Sequence, residues 1–282
     1  MRLRSLLFIP GDRPDRMLKA SACGADALIL DLEDSVATAK KVEARKAVAD
    51  FLSRDRTVPV FVRINPLGGS LADDDLAAII GTHPTGIVLP KASGGASLAD
   101  LDRRLIEAGN RDATILPIAT ETPASIFALG SYAGVSQRLC GLTWGAEDLP
   151  AAIGAATSRE ADGRYTAPYE VVRALALFGA HAAGVAAIET VYPRLKDDEG
   201  LRAYADRGRR DGFFGMLALH PAQVPIINAA FAPSEREIAW ARRVVEAFER
   251  YPDIGAVQLD GKMVDAPHLK QALRVLAAIG HD

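Results

Sequence analysis

Residues 115–121, ILPIATE, and residues 138–148, RLCGLTWGAED, are the stretches on which the fold turns. Each is a short apolar run that ends in a carboxylate, Glu121 in the first and Asp148 in the second. Such runs mark parallel strands buried on both faces. A carboxylate just past a buried strand sits at the rim of the sheet, outside its core. Two neighbouring strands ending this way can hold a hard divalent cation such as Mg2+ between their oxygens, at roughly 2.1 Å, with other positions left for water and substrate. The plain structural alternative is that each acid caps the helix that follows it.

Working outward, six more runs share the character of these two: LLFIP (6–10), ALILDLED (27–34), VPVFVRIN (58–65), GIVLPK (86–91), VAAIETVY (185–192) and GMLALH (215–220). Amphipathic helical patterns fill the gaps, among them PDRMLKASACGA, AKKVEARKAVADFL, SLADLDRRLIEAG, APYEVVRALALFGAHAAG and DEGLRAYADRGRRDG. Eight buried strands alternating with helices predict a TIM (β/α)8 barrel. A doubly wound open sheet is the runner-up, but no GxGxxG opens a helix after the first strand, which removes the main reason to prefer a dinucleotide fold. The barrel is expected over residues 1–233. Residues 234–282 are surplus to it: a helix in PSEREIAWARRVVEAFER with Ser234 as cap and Glu237 three residues on, a short extended piece, a turn at Gly261, and a last helix from near Pro267. This tail reads either as packing against one end of the barrel or as a lid over an active site.

With 282 residues, 49% hydrophobic and 24% charged, the chain has ample core for one large domain. A net charge of -3 gives no electrostatic case for nucleic acid or an anionic membrane, so the expected partner is a small molecule. The opening apolar run is broken at Pro10 and Gly11, too early for a signal-peptide core, and no stretch is long enough to span a bilayer. Cys23 and Cys140 fall in a helical pattern and a strand, where thiols serve as small buried hydrophobes; a cytoplasmic location is the expectation.

Active sites of barrels lie at the C-terminal ends of the strands, and here those ends are polar. They carry Asp31, Glu33 and Asp34, then Arg63 and Asn65, Lys91, Glu121, Asp148, Glu189 and His220. Glu33 and Asp34 are suited to hydrogen-bond water around a metal, or to pair with a nearby Lys or Arg. Arg63 ends a buried strand, where a lone guanidinium needs an anion to face: a substrate carboxylate, an enolate oxygen, or a strand-two carboxylate. Arg13, Arg16 and Lys19 follow a Pro-Gly turn at a helix start, an arrangement that suits a phosphate or a solvated basic face. His220 reads as a hydrogen-bonded strand-end histidine, and His83, His181, His268 and His281 show no ligand spacing. No GxSxG elbow or CxxC pair is present.

In this order the segments RSLLFIPGDRPDRMLKA, GADALILDLEDSV, VRINP, VLPKA, TETPAS, WGAEDLPAAIG, AIETVYPRLKDDEGL, ALHPAQV and GKMVDAP cover almost the whole chain. Together they resemble the citrate lyase beta-subunit-like (CitE-like) family of the HpcH/HpaI aldolase superfamily. The resemblance implies a Mg2+-dependent (or Mn2+-dependent) carbon–carbon lyase acting on a 3-hydroxyacyl thioester, with coenzyme A as part of the substrate. It assigns the metal to Glu121 and Asp148, substrate binding and enolate stabilisation to Arg63, metal-bound water to Glu33 and Asp34, and CoA phosphates to Arg13, Arg16 and Lys19. It further implies a homotrimer or dimer of trimers in which Asp265, from a neighbouring subunit's lid, acts as acid or base. The chain departs from the family pattern at Met216, where lysine is usual, and at Glu189, where aspartate is usual.

Overall fold

A computed structural model describes residues 1–251 and 254–279, so His281 and the end of the 234–282 segment lie outside the described residues. The chain divides into two compact units, one over Leu3–Ala230 and one from Phe231 onward. In the first, each apolar run forms a strand: β1 Ser5–Pro10, β2 Ala27–Asp31, β3 Val60–Arg63, β4 Gly86–Leu89, β5 Thr114–Pro117, β6 Gly141–Thr143, β7 Ala186–Glu189 and β8 Gly215–Ala218. The strands run parallel in the order β5-β4-β3-β2-β1-β8-β7-β6. Parallel bridges from Ile115 to Leu139 and from Ile118 to Thr143 join β5 to β6 and close the ring. The unit is a TIM barrel, and the closure excludes the open-sheet alternative.

Several strands stop short of the runs that predict them, because polar residues at the rim take over the backbone. At the end of β2, the Asp31 carboxylate accepts the N–H groups of Glu33 (2.9 Å) and Ser35 (3.0 Å), turning the chain out of the sheet. Residues 32–34 therefore belong to a loop at the barrel mouth. The barrel interior is filled by alternate side chains of successive strands, including Leu6, Ile29, Phe61, Val88, Leu116 and Ile188. Phe61 occupies space left by Gly86, where a Cβ would overlap its ring. Helices Lys41–Leu52, Gly95–Glu107, Ala167–Ala182 and Asp198–Asp211 coincide with the amphipathic patterns and cover the outside. The first helices after β5 and β6 are short, Pro123–Ile126 and Leu149–Ile153, and directly follow the loops bearing Glu121 and Asp148.

The second unit contains helix Glu235–Arg250, opened by a capping box: Ser234 accepts from the Glu237 N–H and Glu237 accepts from the Ser234 N–H. The extended piece that follows is one arm of a hairpin, β9 Ala256–Leu259 antiparallel to β10 Lys262–Asp265. Its two-residue turn, Asp260–Gly261, has φ of 51° and 74°, the pair of positive values that a tight hairpin of native twist requires. Helix Ala266–Ile279 ends the described chain, and Ala241, Val244, Val264 and Ala272 form the unit's small core. No helix among the described residues is long and apolar enough to cross a membrane.

The pairing of Phe61 with Gly86 is testable. Gly86→Ala is expected to cost about 1–3 kcal/mol through overpacking, read as a lower urea midpoint with an unchanged denaturant slope. An unchanged midpoint would mean that the barrel interior is looser than this packing requires.

Candidate active site

A cavity of about 300 Å³ opens at the C-terminal ends of the strands, with Phe8, Asp31, Arg63, Glu121, Trp144 and Asp148 among its lining residues. On one wall, β2 and β3 are in register at Asp31 and Arg63. The guanidinium binds the carboxylate through two parallel hydrogen bonds, Nε to Oδ1 and Nη2 to Oδ2, both 2.7 Å. Its third nitrogen, Nη1, lies 3.0 Å from Glu33 Oε2, and its plane rests over the Phe8 ring at 4.9 Å. Burial works against both partners' charges. The mutual hydrogen bonds win, so Asp31 stays below the ordinary carboxylate range and Arg63 is held more firmly protonated than usual. The ion pair with a strand-two carboxylate is thus realised, and it fixes Arg63 at the cavity wall.

Glu33 is only 3% exposed. Lys91 Nζ donates to its Oε1 at 2.8 Å, whereas Oε2 is buried without a hydrogen-bond partner among the described atoms. Burial raises its proton affinity despite Arg63 and Lys91. Asp34 is largely exposed and faces the same cavity.

Glu121 is buried, and its carboxyl is pushed up to about 8. Burial is the main cause. A hydrogen bond from the Lys91 backbone N–H opposes it, while Glu33 and a hydrogen-bonded Asp148 add to it. The two sequence-predicted ligands therefore lie against each other. Neither caps a helix: Thr122 and Ser125 form the capping box of helix Pro123–Ile126, and the Asp148 side chain makes no cap bond to helix Leu149–Ile153. Gly145 makes the contact feasible, since a Cβ there would stand 2.8 Å from Glu121 Cγ.

The structure brings together Glu33, Asp34, Arg63, Glu121 and Asp148. Arg13, at the N-cap of helix Pro14–Ala20, and Arg16 and Lys19 within it are exposed and are not among the cavity's lining residues. Asp265 ends β10 in the second unit, with Oδ1 2.5 Å from His268 Nδ1. His220 accepts the Ala222 N–H through Nδ1, the strand-end bond expected of it. Two contributors were not singled out from sequence. Lys91 adopts φ 49°, a left-handed conformation uncommon for a lysine, and serves Glu121 through its backbone and Glu33 through its side chain. Its only sequence signal is its place at the end of a strand. Gly145 is the other, visible as the glycine before Asp148.

The two departures from the family pattern face away from the cavity. Leu217 points into the barrel, so Met216 beside it turns to the outer layer. Glu189 likewise lies outside the sheet, accepting hydrogen bonds from Trp144 Nε1 (2.6 Å), Tyr204 OH (2.8 Å) and Arg173 Nε (2.7 Å).

Fold and rim together define a (β/α)8-barrel enzyme with an acidic cavity walled by an arginine. Residues 4–221 match the HpcH/HpaI aldolase/citrate lyase family. A citrate lyase subunit beta-like protein of Mycobacterium tuberculosis is 40% identical over 275 residues, covering 97% of this chain and 94% of the relative. A (3S)-malyl-CoA thioesterase of Cereibacter sphaeroides is 34% identical over 287 residues, covering 97% and 93%. The crystal structure of CitE from M. tuberculosis in complex with magnesium, acetoacetate and coenzyme A superposes with a TM-score of 0.82 at 38% identity, covering 98% of each chain. The chain belongs to the HpcH/HpaI aldolase/citrate lyase family and is an enzyme of the carbon–carbon lyase class.

The Glu121 environment gives a pH dependence with a defined sign. A carboxyl whose folded value is about 8 against 4.5 is protonated in the folded chain while already ionised in the unfolded one, so stability falls as pH rises between those values. Glu121→Gln removes that loss. In EDTA, the variant is expected to be more stable than wild type by roughly 2–4 kcal/mol at pH 8 and equal to it near pH 4.5. A wild-type advantage at pH 8 in urea titrations would show that Glu121 is not held in this way.

Proposed function

We propose that this enzyme is a Mg2+-dependent lyase that cleaves a 3-hydroxyacyl-CoA thioester of the citramalyl, malyl or citryl type to acetyl-CoA and a 2-keto acid. The observation that carries the reading is the carboxyl pair of Glu121 and Asp148, in mutual contact at the barrel mouth with no capping duty. Such a pair is costly without a cation and suits one. Glu33, buried close by and paired with Arg63 and Lys91, adds a further carboxylate to the same mouth. The described residues hold no cluster of three or more acid, His or Cys ligands, so a six-coordinate Mg2+ held by Glu121 and Asp148 would keep its other positions for water and substrate. Mn2+ fits the same donors. When bound, the ion supplies Lewis acidity toward substrate oxygens.

The protein's own groups supply the rest. Cleavage removes the hydroxyl proton, breaks the bond between the hydroxyl-bearing carbon and its neighbour, and sends the electron pair onto the acetyl thioester as an enolate. Arg63, preorganised by Asp31, faces the developing oxyanion, a donor of a kind worth about 3–4 kcal/mol. Asp265 returns a proton to the enolate carbon, or removes it in the synthetic direction. Asp265 belongs to the second unit, and the reading has it act on the barrel of a neighbouring copy within a homotrimer or dimer of trimers. Arg13, Arg16 and Lys19, exposed beside the end of β1, are assigned to the CoA phosphates. The relatives lend support: one is solved with magnesium, acetoacetate and coenzyme A, and another is named a malyl-CoA thioesterase.

The test is product formation from malyl-, citramalyl- and citryl-CoA, with Mg2+ or EDTA, for wild type, Asp148→Ala and Asp265→Ala. Acetyl-CoA and one keto acid are expected only with metal, falling about 10²- to 10³-fold or more in both variants. Titration calorimetry should show Mg2+ binding lost in Asp148→Ala and kept in Asp265→Ala. Free CoA as the thiol product would favour hydrolysis. Turnover confined to a free hydroxy-keto acid, or to an acyl-carrier-protein thioester, would replace the CoA lyase reading with an aldolase or a citrate lyase beta-type subunit.

A further inference from the structure

The proton assigned to Asp265 needs a source. Carboxyl groups ordinarily titrate near 4 and imidazoles near 6.5, so a carboxyl that acts as an acid at neutral pH needs a neighbour to hold the proton until it is used. The second unit supplies one. β10 runs straight into helix Ala266–Ile279, with Asp265 as the last residue of the strand. A carboxylate at such a point ordinarily accepts the N–H of the second or third helical residue. The second is Pro267, which has no N–H, and the third is His268, whose ring turns back so that Nδ1 lies 2.5 Å from Asp265 Oδ1. Two lone pairs at that distance repel, so one proton lies between the two atoms. This contact is much shorter than the 3.3 Å from the same Nδ1 to the Asp265 backbone nitrogen. The side chains of His268 and Asp265 are 48% and 39% exposed. A pair so exposed adds little to stability, and its ring is open to proton exchange with water.

We propose that His268 is the positioning residue and proton partner of Asp265, an inference that rests on the assignment of Asp265 as the acid or base. In cleavage, the imidazolium Nδ1–H bond breaks as an Oδ1–H bond forms, and that proton then passes to the enolate carbon in a new C–H bond. A carboxylate and a neutral ring remain, and the ring takes its next proton from water. The synthetic direction reverses each transfer. The surroundings suit this role. Helix Glu235–Arg250 faces the ring with Glu237, Trp240 and Ala241. Glu237 is the one carboxylate among them, and its Oε2 accepts from the Ser234 N–H and Oγ. β9 sets Ala256 opposite Asp265 and carries no charge. The nearby cations are Lys262, which leans over the Trp240 ring, and the exposed Lys270 and Arg274 of the same helix as His268. Asp265 is thus the carboxylate in direct contact with the imidazole.

Two substitutions in the full chain separate orientation from proton transfer. His268→Asn keeps a donor for Oδ1 but cannot ionise, and His268→Leu keeps neither property. With whichever of malyl-, citramalyl- or citryl-CoA wild type cleaves, kcat at pH 7 is expected to fall about tenfold in both, with KM within about twofold. The alkaline decline of cleavage, set in wild type within the range where an imidazole changes charge, is expected to move to lower pH in both variants. Nitrogen-15 NMR of the ring reads the contact without turnover: the neutral ring is expected to carry its proton on Nδ1 in wild type and on Nε2 in Asp265→Ala. A tautomer that Asp265→Ala leaves unchanged, or a His268→Asn enzyme with the wild-type rate and pH profile, overturns the proposal. Full activity in Asp265→Ala would remove the role of Asp265 itself and with it that of His268. Loss of activity in Asp265→Ala beside wild-type pH profiles in both His268 variants would remove His268 alone.

Discussion

The buried ion pair between Asp31 and Arg63 organises the mouth of the barrel. Strand register sets the two side by side, and two parallel hydrogen bonds lock the guanidinium plane. The same carboxylate accepts the N–H groups of Glu33 and Ser35, so the pair also bends the loop that carries Glu33 and Asp34. Gly11 is required at this point: its N–H donates to the Asp31 carbonyl at 2.8 Å, and a Cβ would meet that oxygen at 2.5 Å. Buried pairs of this kind contribute little net stability, because desolvation offsets most of the attraction. Their value here is orientation, since Arg63 can swing away only by leaving Asp31 buried and alone.

Around that pair the charges do not balance. Asp31, Glu33, Asp34, Glu121 and Asp148 are met by Arg63 and Lys91, because the third nearby cation, Lys41, donates instead to the carbonyls of Leu32 and Glu33 and to Asn65 Oδ1. Lys41 is a brace for the loop, not a counter-ion for the cavity. The surplus is accommodated by proton uptake on the buried acids, in which burial and neighbouring carboxylates act together on Glu121. The left-handed backbone of Lys91 is a second local cost in the same few residues. Strain and unbalanced charge gathered at one end of an otherwise regular barrel are what a site built for a ligand, and not for stability, looks like.

This division explains what could be read from sequence. Strand and helix positions were legible because their cause is periodic: buried parallel strands are continuously apolar, and the covering helices repeat on one face. The polar strand ends were legible for the complementary reason, as interruptions with no place in a core. Loop chemistry was harder. That Asp31 accepts from its own loop, that Thr122 relieves Glu121 of any capping role, and that Lys91 turns left-handed all depend on neighbours from other strands. The hairpin in the second unit was partly hidden as well: Asp260–Gly261 is a strong turn signal, but β9 buries too little for its alternation to stand out.

Strand alternation also separates two kinds of polar residue that look alike in sequence. Ile188 points into the barrel, so Glu189 must point out, where it gathers Trp144, Tyr204 and Arg173. Trp144 immediately precedes Gly145, the residue against which Glu121 packs, and the loop continues to Asp148. The anchoring of that loop thus comes from the outer layer, through a glutamate that never faces the cavity. A longer side chain at position 189 then affects how the Asp148 loop is held and not what the cavity contacts. By the same alternation Met216, turned outward beside Leu217, cannot reach a ligand between the strand ends. Differences in substrate must therefore be sought in the loops that rise above the strands, where the direction of a side chain is free of the sheet's period.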